Sequence, residues 1–310
     1  MTGALEGFAV IGVLIAVGYV LAATRVLDAA SQVVLSRLVY FVATPALLID
    51  ILGSTDLGTV FGAWFVVAVV GVVATLAVYL PWARWRGRSR PAAVVGGLAA
   101  SYANGGYLGL PIAGYVLGDA AFALPTMVLQ LTIYAPLALT FLSMESGHRA
   151  TPWAFVRAGV RNPVTVAAVI GVLLSLGHVE LPRVVDEPIS LLGAMAIPCA
   201  LVAYGVSLRF GPRIGSGNGR EVAFVAVLKL GWQPLVAYLV ARHVLDLSAL
   251  DVAGVTVMAA LPTAQNVFVY ATQFGRAQLL ARDCVAVTTI ASLPVLVLLA
   301  AVLVPAGVSG

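Results

Sequence analysis

Two apolar stretches carry polar and helix-breaking residues at depths where a membrane-crossing helix gains nothing from them. In "AASYANGGYLGLPIAGYVLG", from Ala99 to Gly118, Asn104 is followed by Gly105 and Gly106 and, seven residues after Asn104, by Pro111. In "LPTAQNVFVY", Pro262 precedes Gln265 and Asn266. Paired glycines lower the cost of leaving helical geometry. Pro111 withdraws a backbone donor and crowds the preceding turn, which is expected to break the helix and free the carbonyl near Tyr107. Unwound backbone at membrane depth is tolerated only where it is buried in protein or lines a cavity, so two such breaks point to a central binding site. The chemistry on offer is anion binding. Half-helix N-termini present free N–H groups and positive dipole ends, and the side-chain amides of Asn104, Gln265 and Asn266 add neutral donors and acceptors. The competing reading makes both segments simple kinks, with Gly105, Gly106 and Gly109 as small packing faces.

A third candidate is Lys229, the only lysine in the chain. It falls in "VAVLKLGWQPLVAYL", about nine residues into an apolar run, which at 1.5 Å per residue is roughly 13 Å deep. A charge at that depth is expensive and marks function or charge pairing unless it snorkels. Arg37, near the start of its span, can snorkel, and His148, His178 and His243 fall in or beside loops. No span has an Asp or Glu close to its centre, Asp50 and Glu6 being near ends, so the proton-carrying carboxylate of many antiporters is missing. There is no Walker motif and no serine, cysteine or zinc catalytic set placed in a span. No metal or cofactor is expected.

The elements that must hold these residues are membrane helices. The 310 residues are 61% hydrophobic and 10% charged, with a mean hydropathy of +1.04, and apolar runs near the roughly 20 residues of a spanning helix recur throughout. Ten spans are expected, at roughly 5–24, 32–52, 58–81, 92–117, 120–143, 163–178, 187–208, 221–244, 251–272 and 283–305. Unbroken runs without alternation exclude a barrel and make the class all-α. Cys199 and Cys284 lie alone in different runs and read as small buried hydrophobes. No basic region precedes the first run, which reads as a retained span rather than a cleaved signal.

Basic residues set the orientation. With an external N-terminus, one side holds Arg25, Arg84, Arg86, Arg88, Arg90, Arg149, Arg157, Arg161, Arg209, Arg213, Arg220, Arg276 and Arg282, and the other only Arg183 and Arg242. The first side is therefore cytoplasmic and both termini external. The acidic residues Asp56, Asp119, Glu180, Asp186, Glu187, Asp246 and Asp251 fall outside. The net charge of +4 then reflects inner arginines meeting anionic membrane lipids, and no nucleic acid is expected as a partner.

Matched features suggest two related halves. Pro45 in "VATPALL" pairs with Pro198 in "MAIPCAL", Pro136 in "IYAPLAL" with Pro294 in "ASLPVLV", and Asn104 with Asn266, at separations of 153, 158 and 162 residues. Five spans are an odd number, so the second copy enters the membrane from the opposite side and the repeats are inverted. The expected division is 1–145 for the first five-helix repeat, 146–162 for a short cytoplasmic loop and 163–310 for the second repeat.

The motifs "NGGYLGLPIAGYVLG", "LKLGWQPL" and "LPTAQNVFVYATQFG", in this order on ten spans, resemble the auxin efflux carrier family in its bacterial form, whose members include the plant PIN carriers. The resemblance covers nearly the whole chain. It implies inverted five-helix repeats with spans four and nine crossing at unwound centres, similar to bile-acid symporters and sodium/proton antiporters. It also implies a scaffold of spans one, two, six and seven, often dimeric, and a transport unit from the other six moving as an elevator. Carried over, the crossing residues are Asn104, Gly105, Gly106 and Pro111 with Pro262, Gln265 and Asn266, while Lys229 and Pro234 match the span-eight pattern. Two departures are a central loop far shorter than in the long plant carriers and a first break made with glycines.

The expectation is a secondary transporter of the cytoplasmic membrane, a homodimer, moving a small organic anion, most plausibly a carboxylate and outward, by alternating access. A sodium- or proton-coupled symporter or antiporter of the same fold is the first alternative, and an intramembrane enzyme or a receptor the distant one.

Overall fold

A computed structural model describes residues 2–54, 62–144, 153, 160–210 and 219–303. Asp56, His148, Arg149, Arg157, Arg213 and most of the 146–162 loop lie outside the described residues, as do the side chains of Glu6 and Pro111. Among the described residues every regular element is helical. In chain order these are α1 (Thr2–Ala23), α2 (Ala29–Ser54), α3 (Ala63–Trp85), α4 (Arg90–Ser101), α5 (Leu110–Val116), α6 (Ala121–Ser143), α7 (Pro163–Leu176), α8 (Arg183–Phe210), α9 (Gly219–Val244), α10 (Ala249–Ala259), α11 (Asn266–Gln273) and α12 (Gln278–Leu303). Six of them, α2, α3, α6, α8, α9 and α12, are long and apolar enough to cross a membrane. The molecule is an all-helical, multi-pass membrane protein.

Local signals start several of these helices. The Asp28 carboxylate accepts from the Ser31 amide at 2.7 Å and opens α2. Hydrogen bonds from the Ser31 hydroxyl and amide hold that carboxyl below its usual range. Ser89, Asn162 and Ser248 cap α4, α7 and α10 in the same manner.

The prolines behave differently from the sequence expectation. Pro111 does not break its helix. A wide π turn, Gly105–Gly109, runs directly into α5, with Pro111 in the first turn of that helix. Wide turns also lie just ahead of Pro45, Pro136 and Pro234, at Val39–Ala43, Leu129–Tyr134 and Leu228–Trp232. The physical reason is common to Pro45, Pro136 and Pro234: the ring cannot donate to the carbonyl four residues back and collides with it, and an i→i+5 turn moves that carbonyl aside while the chain stays helical. The true interruption after α4 lies earlier, at Tyr102–Asn104.

Helix α1 runs along the second part of α8, and α7 packs on the last turns of α2. Gly18 and Gly205 let α1 and α8 touch backbone to backbone, since a Cβ on Gly205 would stand 2.9 Å from the Tyr19 nitrogen. The remaining helices pack chiefly on one another around the interruptions. Helix α12 starts at Gln278 rather than near residue 283, so Arg282 and Asp283, expected at a loop boundary, are inside the helix and buried. A guanidinium survives there because its Nε and Nη2 donate to the Asp283 carboxylate at 2.9 and 2.6 Å.

Candidate functional site: two unwound segments that cross

Helix α4 ends at Ser101 and α10 at Ala259, and the segments that follow run antiparallel past each other. The Asn104 N–H donates to the Pro262 carbonyl at 2.9 Å, and the Ala264 N–H donates to the Tyr102 carbonyl at 3.1 Å. Ala103 and Thr263 thus form an isolated antiparallel bridge. This pairing resolves the problem of non-helical backbone away from water: each extended segment satisfies the other.

Side chains from neighbouring helices complete the pairing. Gln130 on α6, with its amide oxygen turned to the Ala103 N–H, accepts from it at 2.8 Å and donates to the Ala103 carbonyl at 2.9 Å. Thr288 on α12 accepts from the Thr263 N–H at 3.1 Å, and the Thr263 hydroxyl donates to the Ala99 carbonyl at 2.6 Å.

The ends of the interrupted helices fall into two classes. The C-terminal ends are closed by α9. Lys229 Nζ donates to the Ala259 carbonyl and to Gln233 Oε1, both at 2.7 Å, and Gln233 Nε2 donates to the Ser101 carbonyl at 3.2 Å. Each such end carries about −0.5 of an elementary charge, so one ammonium, acting directly on α10 and through Gln233 on α4, balances the two. Lys229 is fully buried and occupies a π turn, where the backbone widens to make room for Pro234.

The N-terminal ends lie beside a cavity, with part of their amides satisfied locally: the Gly105 N–H donates to the Ala103 carbonyl at 2.9 Å, and the Val267 and Phe268 N–H groups to the Ala264 and Gln265 carbonyls at 3.1 and 3.0 Å. The π turn from Gly105 into α5, and the start of α11 at Asn266, border a cavity of about 100 Å³. Tyr102, Asn104, Gly105, Gly106, Gln130 and Asn266 line one side of it, and Leu47, Ile51 and Ile197, from α2 and α8, also face it. Asn104 donates to Gln265 Oε1 at 3.0 Å, which leaves Asn104 Oδ1 and Gln265 Nε2 without partners among the described residues, while the Tyr102 hydroxyl interacts with Tyr270 and Asn266. All three residues are at most 2% exposed. A Cβ on Gly105 would approach Met127 Cγ to 2.9 Å, so the glycine keeps the backbone close to the cavity.

Of the residues singled out in the sequence, Asn104, Gly105, Gly106 and Asn266 therefore share the cavity. Gln265 and Pro262 meet Asn104 through hydrogen bonds. Lys229 does not line the cavity and instead serves the closed ends. Sequence reasoning missed Gln130, Gln233, Thr263 and Thr288. A signal existed for two of them, because Gln130 and Thr288 are 158 residues apart, the separation of Pro136 and Pro294. Among the described residues no three His, Cys, Asp or Glu side chains gather as metal ligands.

A model of membrane transport proteins matches residues 4–300. The chain belongs to this membrane transport protein family. It is a transporter and not an enzyme. The transporter is 28% identical over 293 residues to a "Putative malonate transporter" of Rhizobium meliloti, covering 90% of this chain and 89% of that one. It is 26% identical over 289 residues to an "Uncharacterized transporter" of Methanothermobacter thermautotrophicus, covering 91% and 92%. To "Auxin efflux carrier component 1" of Arabidopsis thaliana it is 28% identical over 119 residues, 37% of this chain and 19% of the plant protein.

Proposed function

We propose that this protein is a secondary transporter that binds a small organic carboxylate in the cavity beside Gly105 and the start of α11 and moves it outward by alternating access. The observation that carries the reading is the division of the four half-helix ends. The two negative ends are already neutralised by Lys229 and Gln233, and the two positive ends border a cavity lined by Asn104, Gly105, Gly106 and Asn266. The field in that cavity favours an anion. The name of the Rhizobium relative agrees with a carboxylate of this size.

In this reading α4 with α5, and α10 with α11, are each one interrupted span, and the twelve helices make ten spans in two inverted repeats. Support comes from the clamps: Gln130 holds Ala103 in the first half as Thr288 holds Thr263 in the second. The packing of α1, α2, α7 and α8 on one another supports a static scaffold against which the rest moves as an elevator, in a homodimer of the cytoplasmic membrane. Sodium is dispensable here, because Lys229 occupies the place where a cation would meet the freed carbonyls. The membrane potential, about 2.3 kcal/mol per charge per 100 mV, drives an anion out of a negative interior.

The test is counterflow in proteoliposomes with a panel of small carboxylates and amino acids. Exchange of a carboxylate supports the reading. Accumulation of a cation or a neutral solute, with no carboxylate exchanged, overturns it.

A further inference from the structure

We infer that Tyr40 and Tyr204 form the inner gate of the transport path: they hold α11 against α2 and α8 on the arginine-bearing side of the cavity, and α11 must leave both before a ligand can pass there. The inference rests on the static scaffold and moving remainder proposed above and goes beyond them by naming the contacts that open.

Helix α11 starts at the cavity with Asn266 and runs to Gln273, and its residues Val267 to Thr272 are all buried. Its aromatic side chains meet two tyrosines of the proposed scaffold edge to face. The Phe268 ring stands 5.5 Å from Tyr204 of α8 at 82°, the Tyr270 ring 6.4 Å from Tyr40 of α2 at 81°, and Phe274, the residue after α11, 5.9 Å from Tyr40 at 89°. All three pairs fall in the range where such rings attract. Sliding one unit past the other breaks them.

The placement is that of a seal. Tyr40 and Tyr204 are at most 3% exposed. They lie seven residues from Leu47 and Ile197, which line the cavity from the same two helices, a distance of about 10 Å along each axis, and they lie in the direction of Arg37 and Arg209. The rings therefore stand between the cavity and the side read as cytoplasmic.

The two hydroxyls divide the work. Tyr40 Oη donates to Asn162 Oδ1 at 3.1 Å, and the same oxygen caps α7 by accepting from the Val164 N–H at 3.0 Å. That bond lies within the scaffold and holds the Tyr40 ring in place whichever way α11 moves. Tyr204 Oη instead donates across the boundary to the Arg282 carbonyl of α12 at 2.9 Å. Tyr40 is a fixed stop and Tyr204 a bolt. Tyr270 also meets the ring of Tyr102 at 6.4 Å, and Tyr102 lines the cavity, so a ligand that shifts Tyr102 acts on the gate through Tyr270.

The experiment uses full-length protein without Cys199 and Cys284, with Leu47→Cys as a reporter in the cavity wall, in membrane vesicles of either orientation. With both tyrosines present, an impermeant thiol reagent should label the reporter slowly from the arginine-bearing side. Tyr204→Phe keeps the ring and loses the bond to the Arg282 carbonyl, and should speed that labelling about fivefold, the equivalent of one neutral hydrogen bond. Tyr40→Ala should speed it further, and melting curves show whether each variant is folded; Tyr204→Phe decides the matter if Tyr40→Ala does not fold. In a second arm, Tyr40→Cys and Phe274→Cys bridged by a bifunctional, reducible thiol reagent should stop carboxylate counterflow, and reduction should restore it. Labelling from that side as fast in the parent as in the folded variants, or counterflow by the bridged protein, overturns the gate and leaves the carboxylate site standing. Labelling that responds as expected in a protein that exchanges no carboxylate keeps the gate and removes the carboxylate reading.

Discussion

Lys229 donates to the Ala259 carbonyl at 2.7 Å, closing the end of a half-helix with a charge where another turn of helix would have supplied an N–H. Gln233, one helical turn further along α9, passes the same role to the Ser101 carbonyl of the other half-helix. One residue pair thus ties together two segments that lie on opposite sides of the antiparallel bridge in the chain order. An ammonium so placed is a built-in counterion for two dipole ends.

Lys229→Gln is expected to lower carboxylate flux about tenfold or more, because hydrogen bonds to a charged group are worth about 1.5–3 kcal/mol and both helix ends lose their compensation. Wild-type flux should be unchanged when choline replaces sodium, with the potential clamped and the pH equal on both sides. A wild type that stops without sodium would return the sodium-coupled alternative, and normal transport by the variant would remove Lys229 from the mechanism.

Helix placement was readable from the sequence because apolar runs and their basic flanks are averages over many residues. The runs at 120–143, 163–178 and 221–244 correspond to helices Ala121–Ser143, Pro163–Leu176 and Gly219–Val244. The interruptions at Asn104 and Gln265 were readable too, as polar residues with no local reason to be there. The position of the first break was not. Proline chemistry pointed to Pro111, but a wide turn absorbs a proline at little cost, and the preference of Tyr102–Asn104 for extended backbone comes from pairing with a segment about 160 residues away. Gln130, Gln233 and Thr288 were hidden for the same reason: each is an ordinary polar residue on a helix until the crossing supplies its partner. Arg282 and Asp283 were hidden by mutual neutralisation, which lets two charges enter a core that would reject either one.

Asn104→Ala and Asn266→Ala are each expected to weaken carboxylate binding by roughly 1–3 kcal/mol, about 5- to 150-fold, from the loss of a polar wall in a dry cavity. Binding isotherms on detergent-purified protein, paired with melting curves, separate this from misfolding. Wild-type affinity in both variants, at normal melting temperature, would detach the cavity from the substrate.

Arg86 and Asp119, both exposed, are expected on opposite sides of the membrane, with Arg86 and Arg157 cytoplasmic and Asp119 external. The warrant is the arginine bias, carried by the ends of α3 and α4 on one side and by the turn after α5 on the other. Single cysteines at these positions, in a protein without Cys199 and Cys284, report this through an impermeant thiol reagent. Labelling of positions 86 and 119 from the same face would rule out an interrupted span made of α4 and α5.

The clamps on the crossing should be separable from the site by their stoichiometry. Gln130 satisfies two backbone groups of Ala103, so Gln130→Leu strands both an N–H and a carbonyl, whereas Thr288→Val, nearly equal in shape, strands only the Thr263 N–H. A buried unsatisfied group costs about 1–3 kcal/mol, which sets the order: Gln130→Leu lowers the melting temperature more than Thr288→Val, and both lower it. Because Gln130 holds both the Ala103 carbonyl and N–H, Gln130→Leu should also loosen the bridge and raise amide exchange at Ala103 and Asn104, measurable by hydrogen–deuterium exchange on the peptide that contains them. Gln130→Glu is the sharper variant. It keeps the acceptor for the Ala103 N–H, replaces the donor to the carbonyl, and sets a carboxylate on the cavity wall. Its expected signature is near-normal protection of the crossing at a pH where the glutamate is protonated, with loss of carboxylate affinity once it ionises. Equal melting of Gln130→Leu and wild type would mean that the Gln130 amide does not hold the bridge, and unchanged affinity of Gln130→Glu across that titration would mean that the cavity is not where the anion binds.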